Sequence, residues 1–477
     1  MENAIRDWRG RSYRPGPVPA DRVRMFRLAL AAMAAISPLQ YGYAALHARQ
    51  ASGLTLLAVW IACQAAGALP ALHLVRRGRL SVRACLVAGA ALSGLGLLTA
   101  ALVPPDGLFS LDGLLSGDGL LALAGYAVLG GLGAGLVYGV CGEVVSSWYP
   151  ERPASRVGLI TGAFGYGAVP LLLWAGIAPG MTSAAFLVCA VLATAVIATA
   201  ARHLRLPPAQ WWPADVDPRT HALDAARLRT SPEAVKQFGL AQALRTRTLP
   251  ALALMLVCAG AVSVFDVIVV AGTGAWGALA LLVALNGAGR SVAMRAAELF
   301  GRRRVLAAVF GALALGQLLL AVAVQNAAAG VTAAQGAGSD AALGAAQGAG
   351  GDAALGAAQG AGGDAALGAV LGAAVPEASV GSPLLWLGAV AAGLGGGAFY
   401  PLLASLVREL FGAERATEIH AVVYSAKAVA GVVAVTLALT ALTAPGAALL
   451  AAAALAALPA LAAPRLRIPG LPATIPL

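Results

Sequence analysis

The chain has 477 residues, of which 60% are hydrophobic and 11% are charged, and its mean hydropathy is +0.81. A water-soluble fold would have to expose much of that apolar surface, so the composition excludes a soluble globular protein and indicates an integral membrane protein. The net charge of +11 does not indicate a nucleic-acid-binding protein, because the basic residues are spread over many segments and form no aromatic-laced patch.

Twelve apolar runs are long enough to cross a bilayer, which takes about 20 residues of helix. They begin near residues 25, 54, 82, 119, 156, 182, 250, 276, 305, 383, 419 and 444. A polar segment in the middle of the chain separates the first six runs from the last six. We therefore predict an all-α integral membrane protein in which twelve transmembrane helices form two six-helix bundles.

The domain boundaries follow from these runs. We predict an N-terminal cytoplasmic tail and six-helix bundle at 1–201, a cytoplasmic central loop at 202–248, a C-terminal bundle at 249–464 with a low-complexity extracellular insertion at about 327–382, and a cytoplasmic tail at 465–477. Three tandem copies of a twelve-residue unit fill 333–368 within the insertion. Their glycine content favours a disordered loop without a catalytic role.

The distribution of basic residues predicts the orientation. Apart from Arg290, Lys427 and Arg49, the Lys and Arg residues lie in the two tails, the central loop and the loops on the same side as the tails. Because cytoplasmic loops collect Lys and Arg, both termini are predicted to be cytoplasmic. We expect a multi-pass protein of the plasma membrane, namely the bacterial inner membrane, that functions as a monomer.

The sequence contains no signal for a metal or a cofactor. Its five cysteines lie inside apolar runs, without a CxxC pair or a histidine at metal-ligand spacing. It also has no HExxH, no Walker A loop and no convincing Ser/His dyad, which argues against an enzyme or an ATP-driven pump.

Two solitary cations interrupt the apolar runs. Arg290 and Lys427 have no acidic neighbour in sequence, and such a charge at a helix centre costs roughly 2.5–3.5 kcal/mol on insertion scales. This pattern favours an anionic ligand, and a dianion would neutralise the pair. Asp266, in the seventh span, has three open interpretations: a partner of a cation, a proton carrier, or a polar residue near the outer helix end that meets water.

The loops after the second and eighth spans resemble the G-x-x-x-D-R-x-G-R-R signature of the major facilitator superfamily. The residues that carry this resemblance are Arg76, Gly78 and Arg79 in the first loop and Glu298, Gly301 and Arg302 in the second. The resemblance implies a gating role for them. Val75 stands where the first loop should have its acid, so the partner charge is missing there, whereas Glu298 supplies it in the second loop.

Three longer segments resemble the oxalate/formate antiporter-like branch of that superfamily. They are SPLQY at 37–41, GLGAGLVYG with WYPER and GLITGAFGYGA across the fourth and fifth spans, and GGGAFYPLLASLVRELFG with VYSAKAV across the tenth and eleventh.

The resemblance implies a carboxylate clamp formed by Arg290 and Lys427. It also implies a pocket lined by Gln40, Tyr41, Gln64, Tyr138, Tyr166 and Tyr400. Where oxalate-exchanging relatives have a second aromatic residue, this chain has Gly396, which predicts a looser pocket and weakens the case for oxalate itself.

These observations predict a secondary active transporter that moves small carboxylate anions across a lipid bilayer by alternating access. Anion exchange of the oxalate/formate type is expected, because closing the cavity without an anion would bury two unpaired cations. The alternative is a proton-coupled monocarboxylate symporter that uses Asp266. From a different class, a non-transporting membrane receptor or a membrane enzyme remains open.

Overall fold

The computed structural model describes residues 4–7, 12–75, 77–103, 116–221, 234, 236–348, 382–412 and 414–470. Nearly all of this is α-helix, and the helices that cross the bundle are numbered here as spans 1 to 12 in chain order.

Span 1 is broken near its middle. It consists of helices Arg22–Ala35 and Tyr41–Leu46, joined by a 3₁₀ turn at Ser37–Leu39. Pro38 lies in this turn and cannot donate a backbone hydrogen bond, which explains why one continuous helix does not form.

Spans 2 to 6 complete the N-terminal half. They comprise Ala51–Pro70 with a π-helical turn Ala71–Val75, Val82–Leu102, Gly117–Leu121 with π-helical Ala122–Gly130 and Gly131–Trp148, Pro153–Tyr166 with Val169–Ile177, and Thr182–His203 after a 3₁₀ turn at Pro179–Met181.

The C-terminal half follows a short helix at Leu240–Leu244. Spans 7 to 12 comprise Thr248–Gly272, Trp276–Phe300, Arg302–Gly348, Pro383–Phe411, Ala416–Ser425 with Lys427–Thr443, and Pro445–Ala462, followed by a 3₁₀ turn at Ala463–Arg465.

The predicted twelve-span, two-bundle fold is confirmed. Within the described residues, eleven helices are long and apolar enough to cross a membrane. Span 1 is not among them, because its two helical pieces have 14 and 6 residues. Counted as one broken span, it brings the total to twelve.

Span 9 extends beyond its apolar part. The apolar part ends at Ala327, but the helix continues to Gly348 and includes the first copy of the repeat. The expectation of an irregular loop is therefore wrong for residues 333–348, because alanine favours helix and an existing helix needs no new nucleus. The rest of the insertion, at 349–381, lies outside the described residues.

Two long seams join the halves, one between spans 2 and 11 and one between spans 5 and 8. At the second seam the backbones nearly touch, since a Cβ added to Gly165 would lie 2.8 Å from the Gly287 nitrogen. Helices can approach this closely only where side chains are absent. The seams place the middle of spans 1, 2, 4 and 5 opposite the middle of spans 7, 8, 10 and 11.

The N-terminal tail and the central loop meet at the end of the bundle that carries the basic loops, which we call the basic end. Strand β2 (Ser12–Gly16) pairs antiparallel with β1 (Ile5–Arg6) and parallel with β3 (Trp211–Pro213). Beside this sheet, Arg22 forms an ion pair with Glu151 at 2.5 Å. The tail, the loop between spans 4 and 5, and the central loop are thereby fixed together on the N-terminal half.

Candidate functional site

A small cavity lies between the two halves, near the middle of the spans. Its free volume is about 10 Å³, roughly the room for one water molecule, so the bundle is nearly closed around it. The lining residues come from spans 1, 4 and 5 on one side and from spans 7, 8, 10 and 11 on the other. They are Gln40, Tyr41, Tyr138, Phe164, Ser263, Val264, Arg290, Tyr400, Tyr424 and Lys427.

Lys427 is the first residue of the second helix of span 11, directly after the break at Ala426. The break turns its side chain into the interface, where Lys427 is only 4% exposed. Its ammonium donates hydrogen bonds to Gln40 Oε1 at 3.1 Å and to Gln64 Oε1. Both acceptors belong to the N-terminal half, so this cation links the two halves.

Aromatic rings surround the same ammonium. The Lys427 Nζ atom lies 5.6 Å from the ring centre of Phe164, 5.8 Å from that of Tyr400 and 5.9 Å from that of Tyr424. Ring faces are electron-rich and stabilise a cation at such distances. The rings also exclude water, which strengthens any charge interaction inside the cavity.

Arg290 lies near the middle of span 8 and is 2% exposed. Its Nη1 donates to the Thr161 carbonyl of span 5 at 2.7 Å, and its Nη2 donates to Asn286 Oδ1 at 3.2 Å. The guanidinium carbon lies 5.3 Å from the centre of the Tyr400 ring, and its Nε is buried without a hydrogen-bond partner. Arg290 therefore bridges the halves and keeps one donor free.

Neither cation has a carboxylate partner among the described residues. Among the ion pairs of the described part of the chain, none includes Arg290 or Lys427. As expected for a closed cavity without an anion, no counter-charge accompanies them, and neutral amide and carbonyl oxygens accept their hydrogen bonds instead. These dipoles lower the cost of burial but leave the cavity with two positive charges.

Most of the residues predicted for the pocket meet there. Gln40, Tyr41, Tyr138 and Tyr400 line the cavity, and Gln64 reaches it by its hydrogen bond with Lys427. This juxtaposition puts the predicted residues in one place, and their role in binding stays a prediction.

Tyr166 lies outside the cavity. Its side chain is 41% exposed and packs beside Gly287, while Phe164 lines the cavity instead. Two residues along a helix differ by about 200° in direction, so Tyr166 points to nearly the opposite face. The prediction that Tyr166 lines the pocket is therefore not supported by its position.

Five further residues belong to the site and were not predicted for it: Phe164, Ser263, Val264, Asn286 and Tyr424. Asn286 accepts hydrogen bonds from Tyr41 at 3.3 Å and from Arg290, and it donates to Ser263 at 3.1 Å. Helical spacing offered a signal, since Asn286 precedes Arg290 by four residues and shares its face. Tyr424 stands three residues before Lys427 inside the quoted VYSAKAV segment.

Gly396 does not loosen the pocket. A Cβ added there would lie 2.9 Å from Ser263 Oγ and 3.1 Å from Asn286 Nδ2. Polar side chains of spans 7 and 8 therefore fill the space that an aromatic residue would need. The predicted looser pocket is wrong, and glycine here makes room for the Asn286 network.

Asp266 does not meet water. It is 1% exposed, and its Oδ1 accepts a hydrogen bond from Gln317 Nε2 of span 9. No ion pair reaches Asp266 within the described chain, and it does not line the cavity. Two of its three interpretations, water contact and cation pairing, are therefore excluded in this conformation.

The predicted gating residues lie at the basic end. Gly78 and Gly301 both have positive φ, +69° and +86°, which glycine adopts without strain. Arg302 pairs with Glu409 of span 10 at 2.8 Å, whereas Glu298 pairs with Arg295 of its own helix at 2.9 Å. Glu298 is therefore not the acid that Arg302 contacts. Arg79 is exposed, and Arg76 lies outside the described residues.

Two other contacts close the bundle across the halves. At the basic end, Arg77 pairs with Glu418 of span 11 at 2.7 Å. At the opposite end, Arg49 donates two hydrogen bonds to the Gly272 carbonyl at the end of span 7, at 2.6 and 3.1 Å. Arg49, the exception to the charge pattern, thus contacts a helix C-terminus, where the dipole favours a cation.

Comparison with known proteins gives the fold. No protein-family model and no curated protein sequence matches the chain. Solved structures do match: a D323A mutant of the nucleoside transporter NupG (13% identity, TM-score 0.55) covers 93% of this chain and 99% of its own. The xylose transporter XylE from E. coli, in a partially occluded inward-open conformation, matches with 12% identity and a TM-score of 0.56 over 94% of this chain and 99% of its own.

XylE with bound 6-bromo-6-deoxy-D-glucose, described as a major facilitator superfamily proton:xylose symporter, also matches. The identity is 14% and the TM-score is 0.56, over 93% of this chain and 96% of its own. Each of these neighbours is described as a transporter. At such low identity the likeness shows a shared fold, and it does not identify the oxalate/formate branch.

Proposed function

Proceeding from the major facilitator fold that this chain shares with solved transporters, we propose that it is a secondary active transporter of small carboxylates. The observation that carries this proposal is the pair of buried cations, Arg290 and Lys427, in one cavity between the halves. Their partners are neutral oxygens, so a ligand with negative charge supplies what the protein does not.

The shape of the two cations fits carboxylates. Arginine presents a planar fork that binds a carboxylate through two parallel hydrogen bonds, and lysine adds a compact point charge. Tyr400 lies within reach of both, with its ring centre 5.3 Å from the Arg290 guanidinium carbon and 5.8 Å from Lys427 Nζ. A short dicarboxylate that places one carboxylate on each cation would neutralise the cavity, so dianions should bind better than monoanions.

Binding of an anion would also change the contacts between the halves. Lys427 is bonded to Gln40 and Gln64, and Arg290 to the Thr161 carbonyl, across the interface. An anion that takes these donors releases the three cross-half hydrogen bonds and becomes the bridge itself. The loaded site can then rock open to either side, as alternating access requires.

This arrangement favours exchange over net uptake, although less strictly than two cations without hydrogen-bond acceptors would. The neutral acceptors allow the cavity to close without an anion, but they leave its charge uncompensated. Closing around a dianion removes that cost. We therefore expect the loaded carrier to reorient faster than the empty one, with a slow residual net flux.

The proton-coupled monocarboxylate symporter is the weaker alternative. A symporter needs a titrating group close enough to the substrate, or to Arg290 and Lys427, for its protonation to change substrate binding. Asp266 does not line the cavity and is hydrogen-bonded to Gln317. The neutral substrates named for NupG and XylE do not transfer to this chain, because the fold hosts many ligands. A neutral sugar or nucleoside would leave two charges unpaired.

The test is uptake of labelled mono- and dicarboxylates, xylose and a nucleoside into proteoliposomes that are either empty or preloaded with anion. Arg290→Gln is compared with Arg295→Gln, a matched change at an exposed arginine of the same helix whose side chain is 75% accessible. We expect trans-stimulated dicarboxylate uptake that is lost in Arg290→Gln and kept in Arg295→Gln. Uptake of xylose or the nucleoside alone would refute the carboxylate assignment.

A further inference from the structure

The buried pair of Asp266 and Gln317 has an unusual hydrogen-bond pattern. Asp266 is 1% exposed and Gln317 is fully buried. One hydrogen bond joins them, from Gln317 Nε2 to Asp266 Oδ1. The two remaining oxygens, Asp266 Oδ2 and Gln317 Oε1, are both buried without a partner.

We propose that Asp266 and Gln317 form a proton-binding site, in which Asp266 is held as the neutral acid and pairs with Gln317 through two hydrogen bonds. Two unpaired acceptors in one pair of side chains need one donor, and a proton on Oδ2 provides it. Since the carboxyl and carboxamide groups are both planar and two-pronged, Oδ2–H can donate to Oε1 while the first hydrogen bond is kept.

Within the residues that the structure describes, no charged side chain forms an ion pair with Asp266. Spans 1, 8, 10 and 11 pack on span 7, and their residues Tyr41, Arg290, Tyr400 and Lys427 line the cavity, which Asp266 does not. Span 9 contributes Gln317 at this depth, and span 12 has no titratable side chain between Pro445 and Ala462. An ionised carboxylate with one neutral hydrogen bond would be costly here, so the proton stays bound.

The proton has a structural consequence for the cavity. Asp266 lies about one helical turn after Ser263, which lines the cavity from span 7. Its pairing with Gln317 fixes that turn of span 7 against span 9. As a positioning residue that carries no charge, Asp266 leaves both positive charges of the cavity available to a ligand.

Infrared spectroscopy of the purified protein at pH 7 tests this site without any transported substrate, so its result is independent of the proposed function. We expect a carboxylic-acid C=O band in wild type that is lost in Asp266→Asn. Glu143→Gln is the matched control, since Glu143 is also a buried carboxyl in a described span, at 4% exposure. It should leave the band unchanged.

Thermal unfolding supplies the second readout. An asparagine at position 266 can exchange two hydrogen bonds with Gln317, so Asp266→Asn should melt close to wild type. Asp266→Ala leaves the Gln317 amide unpaired and should melt several degrees lower. Absence of the acid band in wild type, or melting of Asp266→Asn as low as that of Asp266→Ala, would overturn the proposal.

Discussion

Replacing Lys427 with glutamine removes one of the two charges of the cavity and keeps a polar side chain of similar length. The glutamine amide can still donate to Gln40 or Gln64, so the closed bundle loses little more than one of two hydrogen bonds, about 1–3 kcal/mol for the acceptor left unpaired. A bound dianion, in contrast, loses a buried charge partner.

Truncating one side of a buried, hydrogen-bonded charge pair costs about 2–5 kcal/mol. At about 1.4 kcal/mol per tenfold change, the half-saturating concentration of a dicarboxylate should rise roughly 30-fold to several thousand-fold. A monocarboxylate that uses only Arg290 should lose much less. The ratio of dicarboxylate to monocarboxylate affinity is therefore the sharper measure.

The assay is concentration-dependent uptake of one dicarboxylate and one monocarboxylate into proteoliposomes. Lys236→Gln is the matched control, because Lys236 is the other lysine of the chain and lies in the central loop. An unchanged affinity ratio in Lys427→Gln would refute the two-cation clamp even if total transport fell.

Three further predictions follow from the same contacts. In a Lys236→Arg background, Lys427 is the single lysine, so an amine-specific reagent should label its side chain as the bundle opens. A transported anion should slow this labelling, as measured by mass spectrometry. If the anion leaves the labelling rate unchanged, it does not bind at this site. Gly396→Ala should destabilise the protein by about 1–3 kcal/mol and lower its melting temperature, because the added methyl would overlap Ser263 and Asn286. An unchanged melting temperature would show that the space is free. Arg77→Gln and Glu418→Gln should each weaken closure at the basic end by about 0.2–1 kcal/mol, measured as faster labelling of Lys427 from that side. Additive effects in the double variant would mean that the two side chains do not interact.

Local sequence accounts for the spans and for the two cations. The hydrophobic thickness of a bilayer sets the length of each apolar run, so twelve spans could be counted without knowing how they pack. The cost of a buried charge likewise made Arg290 and Lys427 conspicuous in the sequence alone. The resemblance of short motifs then selected Gln40, Tyr41, Gln64, Tyr138 and Tyr400, which the structure brings to one cavity or its edge.

The tertiary structure decided in which direction each side chain points. Motif position placed Tyr166 in the pocket, but the direction of span 5 presents Phe164 there instead. The break before Lys427 and the close backbone approach around Gly287 depend on how helices from opposite halves fit together. Such contacts join residues far apart in sequence, so no local pattern contains them.

The hydrogen-bond partners of the buried charged residues also lie far from them in sequence. Composition and periodicity mark Asp266 as unusual, yet its partner Gln317 is 51 residues away on a different span. The acceptors of Lys427 are still more distant, in the other half of the chain. The sequence by itself determined that the charges of Arg290 and Lys427 are buried, because burial follows from the apolar runs around them. Only the packing of the two bundles decided which neutral oxygens hold those charges, since that depends on the seams between spans 2 and 11 and between spans 5 and 8.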